Sequence, residues 1–196
     1  MKAKNALAIL ALLVAVIILA ISSKCSAASN DVVNINNYWN GAVAYADDDV
    51  SHGRDYWQTP KETALTRTGD CDDYAIAKYF TLLATGIPES RLKIATVVYD
   101  GGIADPSLHT VVLLTDERGT WVLDSIDREI VLLDQRRDII TVMATYSNAG
   151  VKWHHSTPKV TNTPAMWKRM LANKAVYMKD AKAAYNTRPI RVTWVR

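Results

Sequence analysis

Three side chains in the middle of the chain have the chemistry needed for nucleophilic catalysis: Cys71, His109 and Asp124. A thiol is mostly protonated at neutral pH, so a nucleophilic cysteine needs surroundings that favour the thiolate and a base that moves its proton. An imidazole can do both, and a carboxylate can hold the imidazole in the required orientation. In chain order the three residues therefore predict a nucleophile, a general base and an orienting acceptor for acyl transfer through a thioester.

Each of these residues also has an ordinary structural role. A lone cysteine is often part of a core, a histidine on a strand is often a satisfied surface group, and Asp124 could cap a turn. Two other functions stay open at this level: an acyltransferase that passes the acyl group to an amine, and a non-catalytic calcium-binding adaptor with an unreactive Cys71. The acceptor of an acyl group depends on the shape of the site and on access of water, which spacing does not reveal.

Two acids flank the cysteine, Asp70 and Asp72. Their charges oppose ionisation of the thiol, because like charges disfavour a further anion. A bound cation would cancel this effect, and closely spaced carboxylates suit Ca²⁺ better than zinc or copper. We therefore predict Ca²⁺ bound by Asp70 and Asp72, with simple capping of a helix as the alternative.

The elements around these residues follow from the local pattern. Asp70 is a good helix N-cap, apolar residues recur at helical spacing from Ile76 to Leu83, and Gly86 ends the run. This places Cys71 in the first turn of a helix, where its backbone N–H could contribute to an oxyanion hole. Trp57 and Gln58 are candidates for a second oxyanion donor.

A strand pattern follows the helix. Predicted strands cover Leu92–Tyr99, His109–Leu114, Thr120–Asp124, Glu129–Leu133 and Asp138–Ala144. If Leu114 pairs with Gly119, His109 lies directly opposite Asp124, with Cβ atoms about 5 Å apart. A slip of one residue would put the two side chains on opposite faces. Further on, a helix is expected from Pro164 to about Tyr185 and a half-buried strand over Ile190–Trp194.

The first residues have the layout of an export signal. Lys2 and Lys4 precede a run of 16 apolar residues, Ala6–Ile21, and small residues follow at 26–28. Residues 1–28 are therefore predicted to be a signal peptide or an N-terminal membrane anchor, and residues 29–196 a single exported domain. Beyond this leader 20 basic residues face 20 acidic ones, which gives no support for a nucleic-acid partner.

Several motifs resemble those of the bacterial transglutaminase-like cysteine proteinases, and more narrowly the LapG type. They are YWQTP at 56–60, GDCDDYAIAKY at 69–79, His109, Leu123-Asp124 and ATYSN at 144–148. The resemblance implies a papain-like, transglutaminase-like α+β fold in which the helix of the catalytic cysteine packs on an antiparallel sheet. It also implies a triad of Cys71, His109 and Asp124 and calcium dependence through Asp70 and Asp72.

The same resemblance implies a biological role. Such enzymes are periplasmic cysteine endopeptidases that cleave the N-terminal region of a large secreted adhesin at a paired-alanine site. Cleavage releases the adhesin and promotes biofilm dispersal, and an inner-membrane receptor for cyclic di-GMP inhibits the protease by sequestering it. No cofactor other than Ca²⁺ is expected.

Overall fold

The computed structural model describes residues 30–48, 55–101, 107–155 and 163–187. By its internal contacts the chain divides into two units, residues 1–34 and 35–196, and the description below concerns the second. The described residues of the first unit, 30–34, are helical. The predicted leader at 1–28 and the predicted strand Ile190–Trp194 lie outside the described residues. Among the described helices, none has both the length and the apolar composition needed to cross a membrane.

The helices and strands are named here in chain order. The helices are α1 (residues 30–42), α2 (Pro60–Thr66), α3 (Cys71–Ala84), α4 (Thr163–Ala172) and α5 (Lys174–Asn186). The strands are β1 (Ala44–Tyr45), β2 (Thr68–Gly69), β3 (Leu92–Tyr99), β4 (Ser107–Asp116), β5 (Gly119–Leu123), β6 (Val131–Leu132), β7 (Ile139–Ser147) and β8 (Gly150–Trp153). Short 3-10 turns cover Glu89–Arg91 and Leu133–Gln135.

The main sheet has six strands in the order β6-β5-β4-β3-β7-β8, and every neighbouring pair is antiparallel. A separate two-stranded parallel sheet pairs β1 with β2. One face of the main sheet carries an apolar cluster formed by Ala95, Val97, Val111, Leu113 and Val122. Helix α3 packs against β3 and β4 on one side and against α5 on another. The arrangement is the predicted α+β architecture, with the cysteine helix on an antiparallel sheet.

Helix α3 begins with a strong N-terminal cap. The carboxylate of Asp70 accepts a hydrogen bond from the backbone N–H of Asp72 at 3.1 Å, and the carboxylate of Asp73 accepts one from the N–H of Asp70 at 3.3 Å. This reciprocal pair satisfies N–H groups that have no partner within the helix. Residues 72–83 are all buried, so packing on several sides holds the helix. The cap and the packing together fix where Cys71 lies.

The predicted register of the β4–β5 hairpin is wrong by two residues. Leu114 pairs with Trp121 and not with Gly119, because the turn is a tight one at residues 117–118. The carboxylate of Asp116 stabilises this turn by accepting a hydrogen bond from the N–H of Arg118 at 2.9 Å. Gly119 supports it with a φ of 141°, a conformation that favours glycine.

Two other predicted elements need correction. The strand expected over Glu129–Leu133 is only Val131–Leu132, since a turn at Asp127, whose carboxylate accepts a hydrogen bond from the N–H of Glu129, precedes it. The single helix expected from Pro164 to Tyr185 is two helices. They are separated at Asn173, whose side-chain amide donates to the carbonyl of Arg169 at 2.9 Å and so competes with regular helix bonding.

Candidate active site

Cys71 is the first residue of α3, at the point where this helix meets β4. The residue is partly exposed, while its sulfur lies among protein atoms and takes hydrogen bonds from the backbone and the side chain of Thr110. Burial and the carboxylates of Asp72 and Asp70 raise the pKa of the Cys71 thiol, and the Thr110 hydrogen bonds oppose that rise. In the absence of a bound ion the thiol is therefore the favoured form.

His109 and Asp124 form a direct hydrogen bond. Nε2 of His109 lies 2.7 Å from Oδ1 of Asp124, and both side chains are buried. The two residues are not directly opposite each other: β5 ends at Leu123, opposite Val112, so the two side chains meet diagonally on one face of the sheet. Because a carboxylate can only accept, Nε2 carries the proton and Nδ1 is the nitrogen left to act as a base.

The carboxylate of Asp124 is held in its ionised form. Burial alone would raise its pKa, but hydrogen bonds from His109, from the N–H of Ile126 at 3.0 Å and from Arg136 at 2.7 Å hold the pKa of Asp124 well below its usual range. An ionised acceptor fixes the tautomer and the orientation of the His109 ring. This is the arrangement expected for the orienting member of a catalytic triad.

The structure gives contacts for two parts of the predicted triad, while the triad itself stays a prediction. Asp124 contacts His109, and the Cys71 sulfur contacts Thr110, the residue that follows His109 on β4. Both contacts therefore involve adjacent residues of β4, at positions 109 and 110. The backbone and side chain of Thr110 give the buried sulfur polar partners.

The acids beside Cys71 form a cluster of three. Carboxylate oxygens of Asp70, Asp72 and Asp73 all lie within 4.8 Å of one another. Burial, followed by the charges of Asp70 and Asp73, raises the pKa of Asp72 well above its ordinary value. Burial also raises the pKa of Asp73 to about 7.

The three acids differ in how many of their oxygens are already satisfied. Asp73 accepts hydrogen bonds from the backbone N–H and the side-chain amide of Gln58, both at 2.7 Å. In contrast, Oδ1 of Asp72 is buried and has no hydrogen-bond partner among the described residues. An orphaned buried carboxylate oxygen beside two further carboxylates fits a hard cation such as Ca²⁺. Asp73 was not among the predicted ligands, although its position three residues after the N-cap indicates a capping residue.

The two candidates for a second oxyanion donor, Gln58 and Trp57, have structural contacts that were not predicted from the sequence. Gln58 was a candidate oxyanion donor, but its side-chain amide donates to Asp73 and to the carbonyl of Thr68, so it holds the cluster. Trp57 is buried, with its ring edge-on to Tyr146. Their neighbours in space come from distant segments, which local spacing does not reveal.

Comparison with known proteins relates the chain to a protein family. A sequence model of the family described as bacterial transglutaminase-like cysteine proteinase matches residues 20–173. Among solved structures, calcium-bound LapG of Legionella pneumophila is similar with 28% identity and a TM-score of 0.58, over 72% of this chain and 80% of that chain. A second structure of LapG from the same organism has 28% identity and a TM-score of 0.59, over 73% of this chain and 78% of that chain.

A third LapG structure, of the EGTA-treated protein, has 26% identity and a TM-score of 0.61, over 74% of this chain and 78% of that chain. Among curated proteins, no match was found. The family and structural matches confirm both the resemblance inferred from the motifs and the transglutaminase-like fold class.

Proposed function

The chain belongs to the bacterial transglutaminase-like cysteine proteinases, and from this premise we propose that it is a calcium-dependent endopeptidase of the LapG kind. The observation that carries the proposal is the buried hydrogen bond between His109 and Asp124, at the end of the strand that contacts Cys71. The proposed nucleophile, base and orienting carboxylate come from the start of α3, from β4 and from the residue after β5, and they supply the three roles of triad chemistry.

The proposed reaction is hydrolysis of a peptide bond through an acyl-enzyme. His109 takes the thiol proton through Nδ1, and the Cys71 sulfur attacks the peptide carbonyl. His109 then gives the proton to the leaving amine as the C–N bond breaks, which leaves a thioester. A water molecule, deprotonated by His109, attacks the thioester and releases the carboxylic acid, while the proton returns to the sulfur. The backbone N–H of Cys71, at the start of α3, stabilises the oxyanion in both steps.

We propose that Ca²⁺ is held by Asp70 and Asp72, with Asp73 completing the cluster. The orphaned oxygen of Asp72 and the mutual proximity of the three carboxylates support this assignment. One of the similar LapG structures is described as calcium-bound, which agrees with it. When bound, the cation supplies positive charge beside the thiol, and so removes the disadvantage that the carboxylates impose on a nearby anion.

The proposed substrate is the N-terminal region of a large secreted adhesin, and the proposed location is the periplasm. Cleavage there would release the adhesin from the cell surface and promote biofilm dispersal. The proposed inhibitor is an inner-membrane receptor that sequesters the protease when cyclic di-GMP is abundant. These proposals rest on the motif resemblance and on the similarity to LapG.

The test is cleavage of an adhesin N-terminal fragment by the purified protein, followed by gel electrophoresis and mass spectrometry. Cys71→Ala, His109→Ala and a calcium chelator are each expected to abolish cleavage, and added Ca²⁺ is expected to restore it after chelation. Continued cleavage by Cys71→Ala would end the protease proposal, and full activity in excess chelator would remove calcium from it. Isopeptide product without cleavage, in the presence of a lysine donor, would favour the acyltransferase instead.

A further inference from the structure

Asp124 has more partners than a triad requires. Beyond His109, its carboxylate accepts a hydrogen bond from Nη2 of Arg136 through Oδ2, at 2.7 Å. Its backbone carbonyl accepts two more, from Nζ of Lys78 at 2.7 Å and from Nδ2 of Asn40 at 2.8 Å. The two carbonyl contacts fix the chain at Asp124, whereas the Arg136 contact acts on the carboxylate itself.

Arg136 is held in turn by a second carboxylate. Its Nε donates to Oδ1 of Asp138 at 2.8 Å and its Nη2 donates to Oδ2 of Asp138 at 2.6 Å. The Arg136 side chain is only 3% exposed, and that of Asp138 is 30% exposed. A two-point contact of this kind fixes the plane of the guanidinium and therefore the position of Nη2.

One nitrogen of the buried Arg136 guanidinium, Nη1, is left without a hydrogen-bond partner among the described residues. Leaving a buried donor unsatisfied lowers the stability of the folded state. The geometry satisfies Nη2 and Nε, which bind the two carboxylates, at the expense of Nη1.

The position of Nη2 has a consequence for His109. A carboxylate rotates readily about its terminal torsion, and either oxygen could then face the imidazole. With Oδ2 bound to Arg136 and Oδ1 bound also to the N–H of Ile126, only one orientation of Asp124 remains. That orientation places Oδ1 2.7 Å from Nε2 of His109.

From these contacts we propose that Arg136, anchored by Asp138, is a positioning residue that sets the orientation of Asp124 and, through it, of the His109 ring. The proposal rests on the proposed function, because it assigns Arg136 a role in the same reaction. The guanidinium acts through its contact with the Asp124 carboxylate. It makes the catalytic unit a chain of four linked side chains beyond the cysteine: His109, Asp124, Arg136 and Asp138.

Two variants test the proposal while keeping the protein folded. Arg136→Lys keeps the charge but loses the planar two-point contact, and Asp138→Asn weakens the anchor without leaving Asp124 unpaired. The matched control is Arg137→Lys, a neighbouring exposed arginine outside this chain of contacts. We expect Arg136→Lys to lower kcat by about 10- to 100-fold, as small misplacements of catalytic groups do, with KM within about twofold.

A spectroscopic measurement makes the test independent of protease activity. The Nε2 proton of His109 is expected to give a slowly exchanging, downfield proton NMR signal because it is hydrogen-bonded to an ionised carboxylate. The signal is assigned by its loss in His109→Gln. It should move upfield or broaden in Arg136→Lys, move less in Asp138→Asn, and stay in place in Arg137→Lys.

Each outcome decides the proposal. Reduced kcat together with a displaced His109 signal supports a positioning role. An undisplaced signal in both variants overturns it, whether or not kcat falls, because Arg136 would then act only on the fold. If Arg136→Lys fails to fold, as judged by circular dichroism, Asp138→Asn decides alone. If the wild-type protein cleaves nothing, the proposed function fails while the NMR comparison still tests the positioning of His109.

Discussion

Replacing Asp72 with asparagine separates the cation-binding role of the acidic cluster from its capping role. Asp72 is buried, and its Oδ1 has no hydrogen-bond partner among the described residues. Asp70 and Asp73 supply the two reciprocal contacts of the cap, so the helix start does not depend on the charge of Asp72. The substitution therefore removes one ligand charge and leaves the cap in place.

The size of the effect follows from the separations in the cluster. At 4.8 Å, two like charges repel by about 3.5 kcal/mol with an effective dielectric constant of 20. An ionised Asp72 would experience this repulsion from Asp70 and from Asp73. Burial, followed by these two charges, raises the pKa of Asp72. Burial and these charges favour the protonated form of Asp72 when no cation is bound, and asparagine mimics that form. We expect the calcium-free unfolding free energies of wild type and Asp72→Asn to agree within about 1 kcal/mol.

Calcium should then distinguish the two proteins. A ligand that binds only the folded state adds about 2.7 kcal/mol to the unfolding free energy when its free concentration is 100 times its Kd. Wild-type protein is expected to gain this amount when chelator is replaced by saturating Ca²⁺, and Asp72→Asn to gain little at the same concentration. Urea unfolding followed by tryptophan fluorescence, in chelator and in Ca²⁺, measures both quantities without any substrate.

The control is Asp134→Asn, which removes an exposed carboxylate outside the cluster and should keep the full response to calcium. An Asp72→Asn protein that gains as much stability from Ca²⁺ as the wild type would refute the assignment of the site. A loss of several kcal/mol already in chelator would show instead that the Asp72 carboxylate is structural.

Two further predictions concern neighbouring residues. Lys78 is fully buried, and burial lowers its pKa to about 7, so between this pH and 10.5 the folded state binds fewer protons than the unfolded state. The unfolding free energy should therefore rise with pH by up to about 1.4 kcal/mol per pH unit. Urea unfolding at pH 7, 8 and 9 should show this rise in the wild type and not in Lys78→Met. A difference between the two proteins that does not change with pH would contradict the prediction. A Cβ added at Gly69 would lie 2.7 Å from Cβ and Oδ2 of Asp73. Gly69→Ala should therefore lower the unfolding free energy by about 1–3 kcal/mol and weaken the response to Ca²⁺. Unfolding curves identical to those of the wild type would argue against this close contact.

The His109–Asp124 contact could be predicted from the sequence even though the register behind it was wrong. Side chains on a strand alternate between faces with a period of two, so an error of two residues leaves every side chain on its original face. The true register changes the relation of His109 to Asp124 from directly opposite to diagonal, and both side chains can span the diagonal distance. An error of one residue would have lost the contact. The predicted contact thus depended on the register error being an even number of residues more than on the exact length of the turn.

Local signals also located α3 and β3. Strand β3 has the predicted bounds, Leu92–Tyr99, because a run of β-branched residues is enclosed by turn-forming neighbours. Helix α3 starts at Cys71 because Asp70 caps it. In both cases the information lies within a few residues of the element.

Arg136 could not be predicted in this way. It follows a 3-10 turn, in a segment without a regular pattern, and it contacts Asp124, which lies 12 residues earlier in the chain. Its anchor, Asp138, is two residues away, so the Arg136–Asp138 pair alone suggests an ordinary surface ion pair. Only the fold reveals that the pair is directed at the carboxylate beside His109.

The hydrogen bonds of the acidic cluster explain why three acids stand where two would cap the helix. The Asp70 carboxylate accepts the N–H of Asp72, and the Asp73 carboxylate accepts the N–H of Asp70 and the donors of Gln58. A neutral side chain at position 72 would satisfy the same cap and would not place a buried charge beside Cys71. The proposed Ca²⁺ would account for the carboxylate of Asp72, because a cation needs an oxygen that has no other partner.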